Sequence, residues 1–220
     1  VTDSFALRSP ALDEAWDVAL RLAWDGFRAG TTPVGAVVVG PDAAVVAAGR
    51  GRRYEPNAPE GQLANNHIAH GEVNALAQLP VERHWEDHVL LTTLEPCGMC
   101  HGAVVQATVG ALHYAAPDPY GGTATVHFDT RQSRRRPLIV EGPLPDARGA
   151  FATLLHVVWL MERTTAGHVV SLHDVELPDL TAFARNVRAD LVAAAADADS
   201  YDVARAIATT APLTELAPSR

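Results

Sequence analysis

The chain has 220 residues, 48% hydrophobic and 20% charged, which is the balance of a globular domain large enough to bury a core without disulfides. Its formal net charge is −9 and every basic residue is arginine, a field that disfavours polyanions and sets nucleic acid aside as an expected partner. No run reaches the roughly 20 apolar residues of a membrane helix, and Val1 to Pro10 carries Asp3 and Arg8 in place of an apolar signal-peptide core, so a cytoplasmic protein is expected.

Ser9-Pro10 reads as an N-cap followed by proline at the first helical position. Ala11 to Ala29 then spaces Leu12, Ala15, Trp16, Ala19, Leu20 and Ala23 on one helical face, with Gly30 as the stop. Val34 to Val39 and Ala43 to Ala48 are short Val-rich and Ala-rich runs around Gly40-Pro41-Asp42, a hairpin pattern. Residues 49–66 are polar and broken by Pro56, Pro59 and Gly61, hence a loop. His70 to Leu79 reads as a helix, Val89 to Thr93 as a strand, Cys97 to Thr108 as a helix and Val109 to Ala115 as a strand. Ala116 to Arg134 is a long loop, and loops of this length in compact domains are often functional. A strand at Pro137 to Val140 and a helix at Ala147 to Arg163 follow.

This order predicts an α/β protein: a three-layer α/β/α sandwich on a mixed central sheet of about five strands, the later ones parallel. Residues 1–165 are expected to form the main domain and 166–220 a helical C-terminal extension. In the extension, Asp179 is placed as the cap of a helix over Leu180 to Ala196, and Tyr201 to Ala208 as another helix.

Two short segments carry chemistry: His70-Gly71-Glu72 and Pro96-Cys97-Gly98-Met99-Cys100. One histidine and two cysteines suit tetrahedral Zn2+, and three protein ligands leave the fourth position for water. Zinc brings the pKa of such a water from about 15.7 to near 7. Glu72, two residues past the ligand, is placed to take the water's proton and hand it to a departing nitrogen without binding the metal itself. A Cys-x-x-Cys pair at a helix start is also stabilised as thiolate by free backbone N–H groups. The two cysteines are the only ones in the chain, so the competing use is a redox pair.

The combination is the zinc deaminase signature, with glutamate as general acid and base. Through it the chain resembles the cytidine deaminase-like superfamily. The stretch from Thr92 to Ala103, and Asp118-Pro119 further on, are similar to bacterial tRNA adenosine and guanine deaminases; the variant with Gly71 between ligand and acid is similar to free-base cytosine deaminases. The resemblance covers about Ala11 to Arg163 and implies a homodimer. One position departs from the family. The relatives carry Gly-x-Gly-x-Asn after the second strand, where the Asn holds the substrate ring; here the frame reads Gly49-Arg50-Gly51-Arg52-Arg53. Arg53 only donates hydrogen bonds and is charged, so a substrate offering oxygens or an anion is expected, unless Glu55 or Asp129 neutralises it. Arg52 takes the place of Arg53 if the loop shifts by one.

Further candidates for substrate contact are Gly71, Tyr120 as a stacking aromatic in the long loop, and Asp129, since Phe128-Asp129 resembles a guanine deaminase segment whose acid meets the purine. His67 and His101 flank the motif near the expected site mouth; Trp159 and Met161 read as core or dimer contacts. The expected function is hydrolytic deamination of a free base, nucleoside or related small aminated heterocycle. The alternatives are a tRNA-editing deaminase, which net charge and Arg53 disfavour, and a non-catalytic zinc module, which Glu72 disfavours.

Overall fold

The structure is a computed structural model that describes residues 6–163 and 165–216. Residues 1–5, Thr164 and the last four residues of the expected extension, 217–220, therefore lie outside the described residues. No helix among the described residues is long and apolar enough to cross a membrane.

A 3-10 turn at Pro10–Leu12 leads into helix α1 (Asp13–Arg28). Its buried face is Ala15, Trp16, Ala19, Leu20, Ala23, Trp24 and Phe27, a spacing of three and four that lays one apolar stripe on the sheet. Gly30 ends it at φ +69, a left-handed backbone that glycine adopts without a Cβ clash. Strands β1 (Gly35–Val39) and β2 (Val45–Arg50) form the expected antiparallel hairpin. β2 starts two residues late because residues 42–44 are used by the turn: the Asp42 carboxylate accepts the Ala44 N–H at 3.2 Å.

Helix α2 (Gly71–Leu76), strand β3 (Val89–Leu94), helix α3 (Gly98–Ala107) and strand β4 (Ala111–Ala116) follow in the expected order. α2 is shorter than its sequence reading, since Gln78 and Leu79 leave the helix in tight turns ahead of Pro80. The loop after β4 contains an unexpected one-turn helix, α4 (Arg131–Arg135), capped reciprocally by Thr130 and Ser133. Strand β5 (Ile139–Glu141) and helix α5 (Ala147–Met161) complete the layer pattern.

The sheet order is β2-β1-β3-β4-β5. β1 is antiparallel to β2 and β3, while β3, β4 and β5 run parallel, giving the mixed five-stranded sheet. Side chains alternate across it. Val37, Val39, Val89 and Leu91 pack toward α1 and α5; Ala36, Val38, Leu90 and Leu112 pack toward α2 and α3. This alternation makes three layers out of strands that are buried on both faces.

The C-terminal stretch forms helices α6 (Gly167–Glu176), α7 (Pro178–Ala194) and α8 (Tyr201–Ala208). All three pack on α5, and Leu177, Leu180, Leu191, Tyr201 and Ala204 join the same buried cluster as α1. Covered on every side, α5 is buried from Gly149 to Leu160. Two corrections follow. α6 was not foreseen, because its apolar residues do not gather on one helical face. Asp179 is not the cap of α7: the helix starts at Pro178, and Glu215 accepts the N–H groups of Asp179 and Leu180 at 2.8 and 3.0 Å.

Candidate active site

His70 is the N-cap of α2 and Cys97 the N-cap of α3, so each motif opens a helix. β3 delivers the chain to Glu95-Pro96-Cys97, and the first turn of α3 places Cys100 beside Cys97. The three candidate ligand atoms converge. Cys97 Sγ lies 3.6 Å from Cys100 Sγ and 3.7 Å from His70 Nδ1, and Cys100 Sγ lies 3.4 Å from the same nitrogen. A tetrahedral zinc with bonds of about 2.3 Å to sulfur and about 2.0–2.1 Å to nitrogen sets S···S at about 3.8 Å and S···N at about 3.5 Å. The observed triangle matches that spacing, so the donor set fits the ion.

The electrostatics run the same way. Cys97 is pushed down to about 3, first by the hydrogen bond from the Cys100 thiol, against burial, and then by His70 and the Cys100 N–H. Cys100 is pushed up by the neighbouring Cys97 sulfur and by burial. His70 is held above the usual imidazole range by its bond with Cys97.

Glu72 is 3% exposed, and its carboxylate sits 3.3 Å from Cys100 Sγ on the edge of this triangle. Thr92 of β3 donates to its other oxygen at 3.2 Å. Burial raises its pKa above the ordinary carboxylate range, against the pull of His70. Gly71 lets α2 approach this closely: a Cβ there would meet Val34 O at 2.7 Å. That contact is a physical reason for glycine between ligand and acid.

The triangle opens into a cavity of about 290 Å³ whose wall includes His70, Glu72 and Cys97. Arg53 and Tyr120 are also in the wall, as is Gly71. Arg53 bonds His67 Nδ1, and its Nε is buried without a partner among the described residues. Arg163 joins the wall in the same condition, its guanidinium 4.1 Å over the Trp159 ring and 4.3 Å over that of Tyr54. Tyr120 is 63% exposed at the rim and meets His168 of α6 edge-on at 5.6 Å.

Other expectations are corrected. Asp129 is not in the cavity wall; its carboxylate is 82% exposed and pairs with Arg134 at 3.1 Å. Glu55 does not neutralise Arg53, because it is taken by Arg50 and Arg52. Arg52 bonds Gln62 and Glu55 and is not in the cavity wall, whereas Arg53 is. His101 is buried against Thr123 O at 3.1 Å and the edge of Phe128, outside the cavity.

Two positioning residues were missed. Glu95 accepts the N–H groups of Asp118 and Ala124 at 3.2 and 2.8 Å, tying the loop after β4 to the cysteine motif. Asn74 is fully buried and holds the loop of residues 51–69 through Leu63 N–H, Leu63 O and Arg50 O. An acid next to Pro96-Cys97 was a visible signal; Asn74 gave none.

Comparison with known proteins gives a family match over part of the chain. Residues 11–116 match the cytidine and deoxycytidylate deaminase zinc-binding region. The tRNA(Ile)-lysidine synthase of Deinococcus radiodurans is 33% identical over 54% of this chain and 20% of its own length. The guanine deaminase of Bacillus subtilis is 36% identical over 44% of this chain and 60% of its own. A tRNA-specific adenosine deaminase of Rickettsia bellii is 27% identical over 56% of this chain and 85% of its own. The chain thus spans less than two thirds of the first two relatives. A solved tRNA:A34 deaminase aligns with a TM-score of 0.48 at 27% identity, over 62% of this chain and 96% of its own. Residues 11–116 thus carry the zinc-binding region of the cytidine deaminase-like superfamily, with His70, Cys97 and Cys100 brought together beside a mixed five-stranded sheet.

Proposed function

We propose that the protein is a hydrolytic deaminase acting on a small aminated heterocycle that carries an oxygen-bearing or anionic substituent. One observation carries the reading: a fully enclosed carboxylate, Glu72, touches the edge of a His-Cys-Cys triangle of zinc dimensions inside a small cavity.

His70, Cys97 and Cys100 would hold Zn2+, which when bound supplies an acidified water at neutral pH. Glu72, its carboxylate at the edge of the triangle, would serve as the group that accepts a proton from the attacking water and delivers one to the exocyclic nitrogen. The balance is a C–O bond formed from water, a C–N bond broken and ammonia released. Thr92 fixes one Glu72 oxygen, and the other lies against Cys100 Sγ at the edge of the triangle. Arg53 and Arg163 supply unpartnered Nε–H donors to an acceptor on the substrate, and Trp159 and Tyr54 offer flat faces beside them. Neither arginine is charge-balanced through its Nε, and burying such a donor without a partner is costly, so an acceptor supplied by substrate suits this wall. The homodimer and cytoplasmic location expected from the sequence belong to the same proposal.

The relatives that act on tRNA favour a second reading, a nucleic-acid substrate. A net charge of −9 and a cavity of about 290 Å³, the size of a small-molecule site, weigh toward the first. The deciding experiment is ammonia release by zinc-loaded protein on a panel of aminated bases, nucleosides, nucleotides and a tRNA anticodon arm. Turnover of a small heterocycle is expected, fastest where the substrate bears an anionic group. Turnover of the RNA alone, falling steeply with added salt, would reverse the reading.

A further inference from the structure

A second donor cluster adjoins the same cavity, which two of its three members line, and plays no part in the chemistry above. Asp118 follows β4, His156 is on α5 and His173 on α6, and one ligand atom from each lies within 4.8 Å of the other two. His173 is completely buried and His156 is 7% exposed. His173 Nδ1 faces Val169 O at 2.9 Å, so it carries the proton, and Nε2 is left as a bare lone pair with no partner among the described residues. His156 Nδ1 is likewise buried and unpartnered. The Asp118 carboxylate uses one oxygen on the Tyr120 N–H at 3.0 Å.

We propose that Asp118, His156 and His173 form a second metal site, which takes a divalent first-row transition ion. Two neutral imidazoles and one carboxylate are borderline donors suited to Zn2+, Mn2+ or Co2+ and not to the all-oxygen preference of Ca2+ or Mg2+. A histidine ligand that donates its other ring N–H to a backbone carbonyl is the arrangement that fixes the coordinating tautomer. A plain hydrogen-bonded network does not account for the cluster, because neither orphan nitrogen reaches a partner. Three ligand atoms at bonds of about 2.0–2.2 Å from one ion sit about 3–3.6 Å apart, inside the 4.8 Å within which these atoms already lie, so binding draws the wider pairs of the cluster together by up to about 1–2 Å. Asp118 and His156 both line the cavity that Glu72 faces, so an ion here would present open positions to the substrate.

Metal counting tests this. The full chain is stripped with chelator, loaded with Co2+ or Zn2+, desalted and measured by elemental analysis and absorption. The expected result is about two ions per chain, one giving the sulfur-to-cobalt charge-transfer band and one without it. His156→Gln/His173→Gln and, separately, the milder Asp118→Asn should lose or weaken the second ion while keeping the charge-transfer band, which also reports that the fold is intact. Cys97→Ser/Cys100→Ser should lose the band and keep one ion. A wild-type protein that saturates at a single thiolate-bound ion overturns the proposal and leaves the deaminase reading standing. So does a second ion that survives in both the double His variant and Asp118→Asn. Loss of the thiolate band in wild type would instead count against the deaminase reading.

Discussion

His70, Cys97 and Cys100 lie 3.4–3.7 Å apart, whereas Asp118, His156 and His173 meet only within 4.8 Å. The first cluster is built from the opening residues of two short helices, so local backbone geometry positions each ligand once its helix forms. The second needs a loop, a central helix and a helix of the C-terminal stretch to pack before any two of its members meet. In the first, both sulfurs and His70 Nδ1 lie against one another. In the second, two ring nitrogens have no partner among the described residues. Tight local assembly makes a site that is organised in advance; distant assembly makes one whose members wait for a ligand.

The largest expected effect falls on the first cluster. Glu72→Gln keeps the shape and the Thr92 contact but cannot accept a proton, and a loss of about 10²–10⁴-fold in kcat is expected, with zinc content and melting temperature little changed. Steady-state kinetics and elemental analysis check it, and near-normal turnover would remove Glu72 from the mechanism. Next is the wall that the two clusters share. Arg53→Ala should lower kcat/KM by about one to two decades, the loss of one charged hydrogen bond of about 1.5–3 kcal/mol, and less for a substrate lacking the acceptor. Equal losses for both substrates would show that Arg53 only supports the loop.

The smallest effect is structural. Gly71→Ala introduces a Cβ 2.7 Å from Val34 O, so α2 must shift away from β1. Overpacking of this kind costs about 1–3 kcal/mol, or a fall of about 2–10 °C in melting temperature for a chain of this size, read by calorimetry.

The sequence by itself determined the pairing of the His70-x-Glu72 and Cys97-x-x-Cys100 motifs, the order of the strands and of α1, α2, α3 and α5, and the parallel later strands. Each rests on short-range rules: motif spacing, alternation with period two, helical stripes with period 3.6. α1 was legible because its buried alanines and aromatics, with Leu20, share one face; α6 was not, because its apolar residues are spread around the helix and its place is set by α5. The same reason hid the roles of Asn74 and Glu95, whose partners are backbone groups of loops that no local pattern encodes. Asp129 was misplaced for the converse reason: a local resemblance put it at the site, and its pairing with Arg134 turned it to solvent. Only the tertiary structure decided that Arg53 and Arg163 share a wall, and that a carboxylate and two histidines from three separate elements meet beside it. Those neighbours are far apart along the chain, and packing around α5 is what brings them together.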